Sequence, residues 1–261
     1  MLADLTLLGA PPWVGLLALA VAAAVAGVIN TMAGGGSLLT LPILIALGLP
    51  PGVANGTIRV GIIVQNATSA VTFHRRGFRQ YGLVGRMLLP MVLGAAAGTA
   101  LATRLPDDAL RVVFGVMLAG WAVILVVRPG RFVHPPKEPR PAGPVALGLG
   151  LLIGLYGGFL QAGVGFPMLA LFVLYLGHPA VQANAVKVML VLAYTAVSLP
   201  MFALAGQVAW REGLALAAGA MLGGWLGTHL QIRAGAKLVR WVVVIAVGIS
   251  GIAMLRGVLM S

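Results

Sequence analysis

Between Trp13 and Met32 no residue carries a charge, and runs of this kind fill most of the chain. Further apolar runs cover Ser37 to Gly48, Gly52 to Phe73, Tyr81 to Ala102 and Leu110 to Val127. After a polar stretch they resume over Val145 to Gln161, Phe166 to Gly177, Pro179 to Leu204, Trp210 to Ile232 and Leu238 to Leu255. Backbone buried in hydrocarbon must satisfy its own hydrogen bonds, which leaves helices or closed barrels. A barrel would show short segments of alternating polarity, and none are seen. The chain is therefore read as an all-α polytopic membrane protein. With 8% charged residues against about 25% in soluble domains, composition agrees. There is no cysteine, which excludes disulfides and thiol chemistry. Met1 to Ala10 lacks a basic region before the first apolar run, so that run is taken as a span rather than a signal peptide.

The runs are organised around a pattern that occurs twice. Ala33-Gly34-Gly35-Gly36-Ser37 interrupts the apolar sequence, and Ala54-Asn55-Gly56-Thr57-Ile58-Arg59 follows. The second copy is Ala162-Gly163-Val164-Gly165-Phe166, preceded by Gln161, then Ala183-Asn184-Ala185-Val186-Lys187. A shift of 129 residues aligns Ala33–Val113 with Ala162–Val242 without a gap, and about 20 of the 81 pairs are identical by direct count. They include Gly34/Gly163, Gly36/Gly165, Gly48/Gly177, Asn55/Asn184, Gly98/Gly227 and Arg104/Arg233. The expected organisation is an N-terminal repeat over 1–128, a proline-rich linker over 129–144 and a C-terminal repeat over 145–261, each repeat of about five helical segments.

Seventeen Lys and Arg against five Asp and Glu give a net charge of +12. The bases cluster in short loops, where they orient membrane spans, so nucleic acid is not expected as a partner. Arg75, Arg76, Arg79 and Arg86 crowd one loop of the first half, whereas its counterpart has Arg211 beside Glu212. The next pair of loops is reversed: Arg104 and Arg111 sit with Asp107 and Asp108, while Arg233, Lys237 and Arg240 have no acid. A bias that swaps between halves is what inverted repeats require. Inversion makes the short segments spans, five in each half. Fifteen bases then divide eleven to four between the two sides, against ten to five if the short segments are re-entrant.

Two bases stand apart. Arg59 and Lys187 lie about seven residues inside their runs, and all five acids (Asp4, Asp107, Asp108, Glu138, Glu212) are placed in tails, linkers or turns. A cation buried in lipid costs at least a few kcal/mol, and an anionic ligand is the simplest offset. Asn55, Arg59, Asn66 and Ser69 recur near one helix face, as do Asn184, Lys187, Tyr194 and Ser198. The glycine breaks would add free backbone N–H groups and positive helix ends near the membrane centre. Plainer readings stand beside this: glycines that only permit close packing, bases that snorkel to the interface, and asparagines that cap breaks. Gly94-xxx-Gly98 and Gly223-xxx-Gly227 read as packing faces. His178 and His229 are the titratable groups near the spans. No catalytic motif is present.

The segments from Ala33 to Pro42 and from Ala162 to Met168, with Ala54-Asn55-Gly56-Thr57, resemble the TauE/SafE sulfite-exporter family. In that family a glycine cluster, a leucine-rich stretch and a proline open each half, and an Ala-x-x-Thr or Ala-Asn-x-Thr type signature begins the next helix. The second copy departs from the pattern at Val164 and Val186, and Lys187 aligns one residue before Arg59. The resemblance implies a bacterial or archaeal multi-pass inner-membrane transporter of small sulfur-containing anions, such as sulfite or organosulfonates. The expected substrate-binding set is Arg59, Lys187, Asn55, Asn184, Gly34, Gly35, Gly36, Ser37, Gly163, Gly165, Asn66, Tyr194, Gln161 and Thr57. No cofactor or metal is expected. The partners are the anion and membrane lipid, with a homo-oligomer left open. A passive anion channel and a non-transporting scaffold are the alternatives.

Overall fold

The computed structural model describes residues 12–127 and 140–259. Its elements are α1 (Pro12–Ala33), α2 (Ser37–Ala46), α3 (Pro51–Arg75), α4 (Tyr81–Ala102), α5 (Asp107–Val127), α6 (Pro144–Phe159), α7 (Gly165–Leu169, continued by a π-helical segment Ala170–Tyr175), α8 (Ala180–Leu204) and α9 (Trp210–Leu259). No strand occurs among the described residues. The apolar content sits outside as much as inside. Leu17, Val21 and Val25 of α1, Leu89 and Leu93 of α4, Leu152 of α6, and Leu214 and Leu222 of α9 are exposed. Asn55, Arg59, Ser69, Thr99, Asn184, Ser198 and Gln231 are fully buried. An apolar rim around a polar interior suits hydrocarbon, and α1, α4 and α8 have the length and hydropathy to cross a membrane.

The 129-residue repeat reappears in the elements. α3 and α8 are each 25 residues and begin 129 apart (180 − 51). The positive-φ glycines pair at the same offset: Gly34 with Gly163, Gly48 with Gly177, and Gly77 with Gly206. Each copy thus bends its chain at the same three places, where φ above zero favours glycine.

Glycines also set how the halves interlock. A methyl on Gly219 would stand 1.8 Å from Ala20 O, and one on Gly223 2.3 Å from Ala24 O. The counterpart contact joins Gly94 to Leu151 O and Gly98 to Leu155 O, at 2.1 and 2.0 Å. So α1 packs along α9, and α6 along α4, backbone against backbone. Residue numbers rise together across both contacts, so each pair is parallel. The two long central helices run the other way: Gly56 of α3 meets Phe202 of α8, and Phe73 packs with Ala185 and Val188. The glycine pairs read as packing faces from sequence are therefore packing faces.

Two expectations change. The runs Trp210–Ile232 and Leu238–Leu255 were expected as separate spans, but α9 is one helix of 50 residues, about 75 Å long. The first half turns at Pro106, which cannot continue the α4 helix; the aligned residue in the second half is Gly235, which carries no such prohibition. Glu212, expected in a turn, is 3% exposed in the first turn of α9. A carboxylate there meets the positive helix end. Most of the linker expected over 129–144 lies outside the described residues; its end is pinned where Arg140 N donates to Leu176 O at 2.9 Å.

Candidate functional site

Helices α1 and α6 stop inside the protein, at backbone turned by Gly34 (φ 85°) and by Gln161 and Gly163 (φ 66° and 76°). Their last carbonyls carry the negative end of a helix dipole and have no following turn to serve. The buried bases go there. Lys187 Nζ donates to Asn30 O (2.8 Å) and Thr31 O (3.0 Å) at the end of α1. Asn184 Nδ2 donates to Met32 O (3.0 Å) and to Gln231 Oε1 (2.9 Å). At the end of α6, Arg59 Nη2 donates to Gly158 O (2.6 Å) and Gly157 O (3.3 Å), and Asn55 Nδ2 to Phe159 O (2.7 Å). Each half therefore lends an asparagine and a base to cap the other half's broken helix. The Arg59 guanidinium also lies 4.6 Å from the Phe202 ring centroid, within cation–π range.

This answers part of the charge problem raised by the sequence. Among the described residues the one ion pair is a surface contact, Arg111 with Asp108 at 3.9 Å. Helix-end carbonyls stand in place of the missing carboxylates. The two ends differ, however: Arg59 keeps Nε and Nη1 without partners.

The breaks meet at Gly34 and Gly165, where a methyl on either would stand 2.2 or 2.1 Å from the other's Cα. Gly36 abuts Ala26 O, Gly35 abuts the Phe166 ring, and Ser37 Oγ donates to Gln161 O at 3.4 Å. Beside the first break a narrow cavity of about 20 Å³ is lined by Asn30, Ser37, Thr40 and Gln65. That volume suits about one water.

The chain matches the family described as Sulfite exporter TauE/SafE over residues 19–254. It belongs to that family. A probable membrane transporter protein of Haemophilus influenzae is 32% identical over 229 residues, covering 85% of this chain and 87% of its own length. Probable membrane transporter protein ORF9 of Sinorhizobium is 29% identical over 227 residues, 86% of each chain. Probable membrane transporter protein YfcA of Escherichia coli K12 is 28% identical over 224 residues, 85% of this chain and 83% of its own. No solved structure matches.

In this TauE/SafE chain the fourteen residues expected from sequence do not all converge. Asn55, Arg59, Gln161 and Tyr194 gather at the end of α6, and Asn184 and Lys187 at the end of α1. Gly34, Gly35, Gly36, Ser37, Gly163 and Gly165 form the breaks between them. Thr57 points elsewhere: its Oγ1 accepts from Ala209 N (2.9 Å) at the entry to α9. Asn66 turns back on its own helix, Nδ2 to Ile62 O at 2.8 Å. His229 lies on the exposed face against Trp225, with Nδ1 2.9 Å from Trp225 O, and His178 is half-buried in the loop before α8. Sequence reasoning missed Asn30, Thr31, Gln65 and Gln231. Gln65 Nε2 donates to Thr31 Oγ1 (3.0 Å) and its Oε1 accepts from Asn30 Nδ2 (3.1 Å), closing the α1 end. Gln65 aligns with Tyr194 in the repeat, and that correspondence was the available signal.

Proposed function

We propose that this protein is a secondary transporter that exports a small sulfur-containing anion, sulfite or an organosulfonate, across the bacterial or archaeal inner membrane. It is read as a multi-pass protein of two inverted repeats, with the anion handled where the two glycine breaks meet. The observation that carries the reading is Arg59. It is a fully buried guanidinium, paired to helix-end carbonyls rather than a carboxylate, with Nε and Nη1 unpartnered beside the break. Net positive charge held in a water-poor interior selects for a negative ligand.

The inverted arrangement is supported by antiparallel α3 and α8 and by the parallel pairs α1–α9 and α4–α6. Because each half caps the other's broken helix, moving one half against the other must open both ends in turn. That is the geometry alternating access needs. The test is sulfite flux into proteoliposomes. Saturable, counter-ion-dependent flux that falls to the empty-vesicle rate in Arg59→Met supports the transporter. Flux linear in concentration, or an undiminished Arg59→Met, rejects this mechanism.

A further inference from the structure

Aligned by the repeat, the two half-sites look like duplicates, yet their polar atoms are not used alike. At the end of α1 the base is engaged: Lys187 Nζ holds two carbonyls, Asn184 Nδ2 has two partners and Gln65 is bonded at both ends, and the atoms left unpartnered there are Asn184 Oδ1 and Gln231 Nε2, neither on the base. At the end of α6 four side chains, each 0 or 1% exposed, leave polar atoms unpartnered. These are Arg59 Nε and Nη1, Tyr194 Oη, Asn55 Oδ1 and Gln161 Oε1. Their common locus is the last turn of α6. Arg59 and Asn55 bind its carbonyls, and a methyl on Gly157 would stand 3.0 Å from Tyr194 Oη. The Tyr194 hydroxyl is near enough to Arg59, Gln161 and Tyr156 to interact with all three, without completing a hydrogen bond to the first two. In the repeat, Tyr194 and Gln161 replace Gln65 and Met32 (194 − 129 and 161 − 129). So the two residues that distinguish this end are two that carry its unpartnered atoms. Gln161 also holds φ 66°, uncommon for a residue with a side chain and concentrated at functional sites.

Buried polar atoms without partners are costly, and a cluster of them marks a place built for a ligand. The chemistry of the cluster is mixed. Arg59 supplies a positive charge and N–H donors, and Tyr194 supplies a hydroxyl. Asn55 Oδ1 and Gln161 Oε1 can only accept. Lys187 is two turns of α8, about 10 Å, from Tyr194 and is already held by two carbonyls. One cation therefore faces the ligand, which balances one negative charge. Asn184 Oδ1 at the α1 end is unpartnered like Asn55 Oδ1, so the acceptor peculiar to this end is Gln161 Oε1, and it calls for a ligand that also donates. We propose that the anion binds in the Arg59 half-site alone, as a singly charged oxyanion carrying one O–H, and that the Lys187 half-site is a structural clasp. This rests on the transporter reading above.

The test is binding of sulfite to the full-length protein in detergent, by titration calorimetry, on the acid and alkaline sides of neutrality. Sulfite takes up one proton across that range, whereas sulfate stays a dianion. Arg59, Tyr194 and Tyr156 face the cluster and Lys187 lies about 10 Å along α8, so the same acid-side gain is required of Lys187→Met, which separates the ligand's proton from the lysine's. Sulfite is expected to bind at least about tenfold more tightly on the acid side, and sulfate not to compete. Tyr194→Phe and Gln161→Met, which leave the carbonyl bonds of Arg59 in place, should each weaken sulfite about tenfold with little change in the unliganded unfolding midpoint. Lys187→Met should lower that midpoint and impair flux, yet bind sulfite within about threefold of wild type. Loss of binding in a folded Lys187→Met, unchanged binding in both α6-end variants, or equal binding of sulfate overturns the proposal while leaving a transporter in place. If the wild-type protein binds neither anion, the anion reading itself fails and the half-site assignment fails with it.

Discussion

Replacing Gly165 by alanine sets one methyl group against the tightest contact between the two halves. The added carbon would lie 2.1 Å from Gly34 Cα and 2.9 Å from both the carbonyl carbon and oxygen of Gly34. Ordinary contact begins near 3.4 Å, so the breaks must part by about 1.3 Å (3.4 − 2.1). Both partners are backbone, so no side chain can swing aside to make the space. Overpacking usually costs about 1–3 kcal/mol, and this case belongs at the upper end. Gly34→Ala meets the same overlap, 2.2 Å from Gly165 Cα, and adds a left-handed φ of 85° for about 1–2 kcal/mol more. Gly34→Ala should therefore unfold at a lower temperature than Gly165→Ala. The double variant should cost less than the sum, because the second methyl enters a gap the first has opened. The assay is thermal unfolding in detergent followed by tryptophan fluorescence, with anion flux in vesicles beside it. A Gly165→Ala protein with wild-type midpoint and wild-type flux would refute the claim that the breaks are locked backbone to backbone.

Four further outcomes follow from the same geometry. Gly148→Ala on α6, where an added methyl meets nothing within 4 Å, should leave the midpoint unchanged or raise it by up to the helix-propensity gain of about 1 kcal/mol; a clear fall would mean α6 is packed otherwise. Arg59→Met removes the donors to Gly157 O and Gly158 O and should cost about 2–4 kcal/mol by chemical denaturation, whereas Arg59→Lys should recover part of it. Asp107→Ala loses the 2.8 Å bond from Gly52 N that ties the entry of α5 to the first turn of α3, worth about 1 kcal/mol in the same measurement. Asn184→Ala frees Met32 O and Gln231 and should lower stability by about 1–2 kcal/mol; an unchanged denaturation midpoint would show that the α1 end does not depend on this cap.

Much of the scaffold was legible because hydrocarbon imposes simple rules. A run such as Trp13–Met32 has one stable backbone solution in lipid, and the tract is helix over Pro12–Ala33. Glycines marked where that solution fails: the aligned pairs Gly34/Gly163, Gly48/Gly177 and Gly77/Gly206 all have positive φ. Separating two spans inside α9 failed because a basic, apolar-flanked stretch without proline breaks no hydrogen bond and can stay helical. Glu212 was misplaced for a related reason. Its sequence neighbours are those of a loop, and its burial depends on packing against elements distant in sequence, as the adjacent Gly213 packs against Val60 of α3.

The site was only half legible. That Arg59 and Lys187 lie well inside apolar runs is read from sequence, which left snorkelling to the interface as an alternative; the structure buries both. The groups that receive them are main-chain carbonyls of Gly157, Gly158, Asn30 and Thr31, which every residue type carries, so sequence cannot point to them. Asn66 and Thr57 show the reverse error, since helical spacing places side chains on a face without saying what lies opposite.

By itself the sequence determined the apolar surroundings, most of the helices, the repeat and the placing of two cations inside apolar runs, because each depends on local pattern and on the cost of polar groups in hydrocarbon. Tertiary structure alone decided that each half caps the other's broken helix and that the two caps are unequal. Such pairings join residues about 100 to 157 positions apart. They exist only once backbone approaches backbone across the glycine breaks, where a single methyl would keep the halves apart.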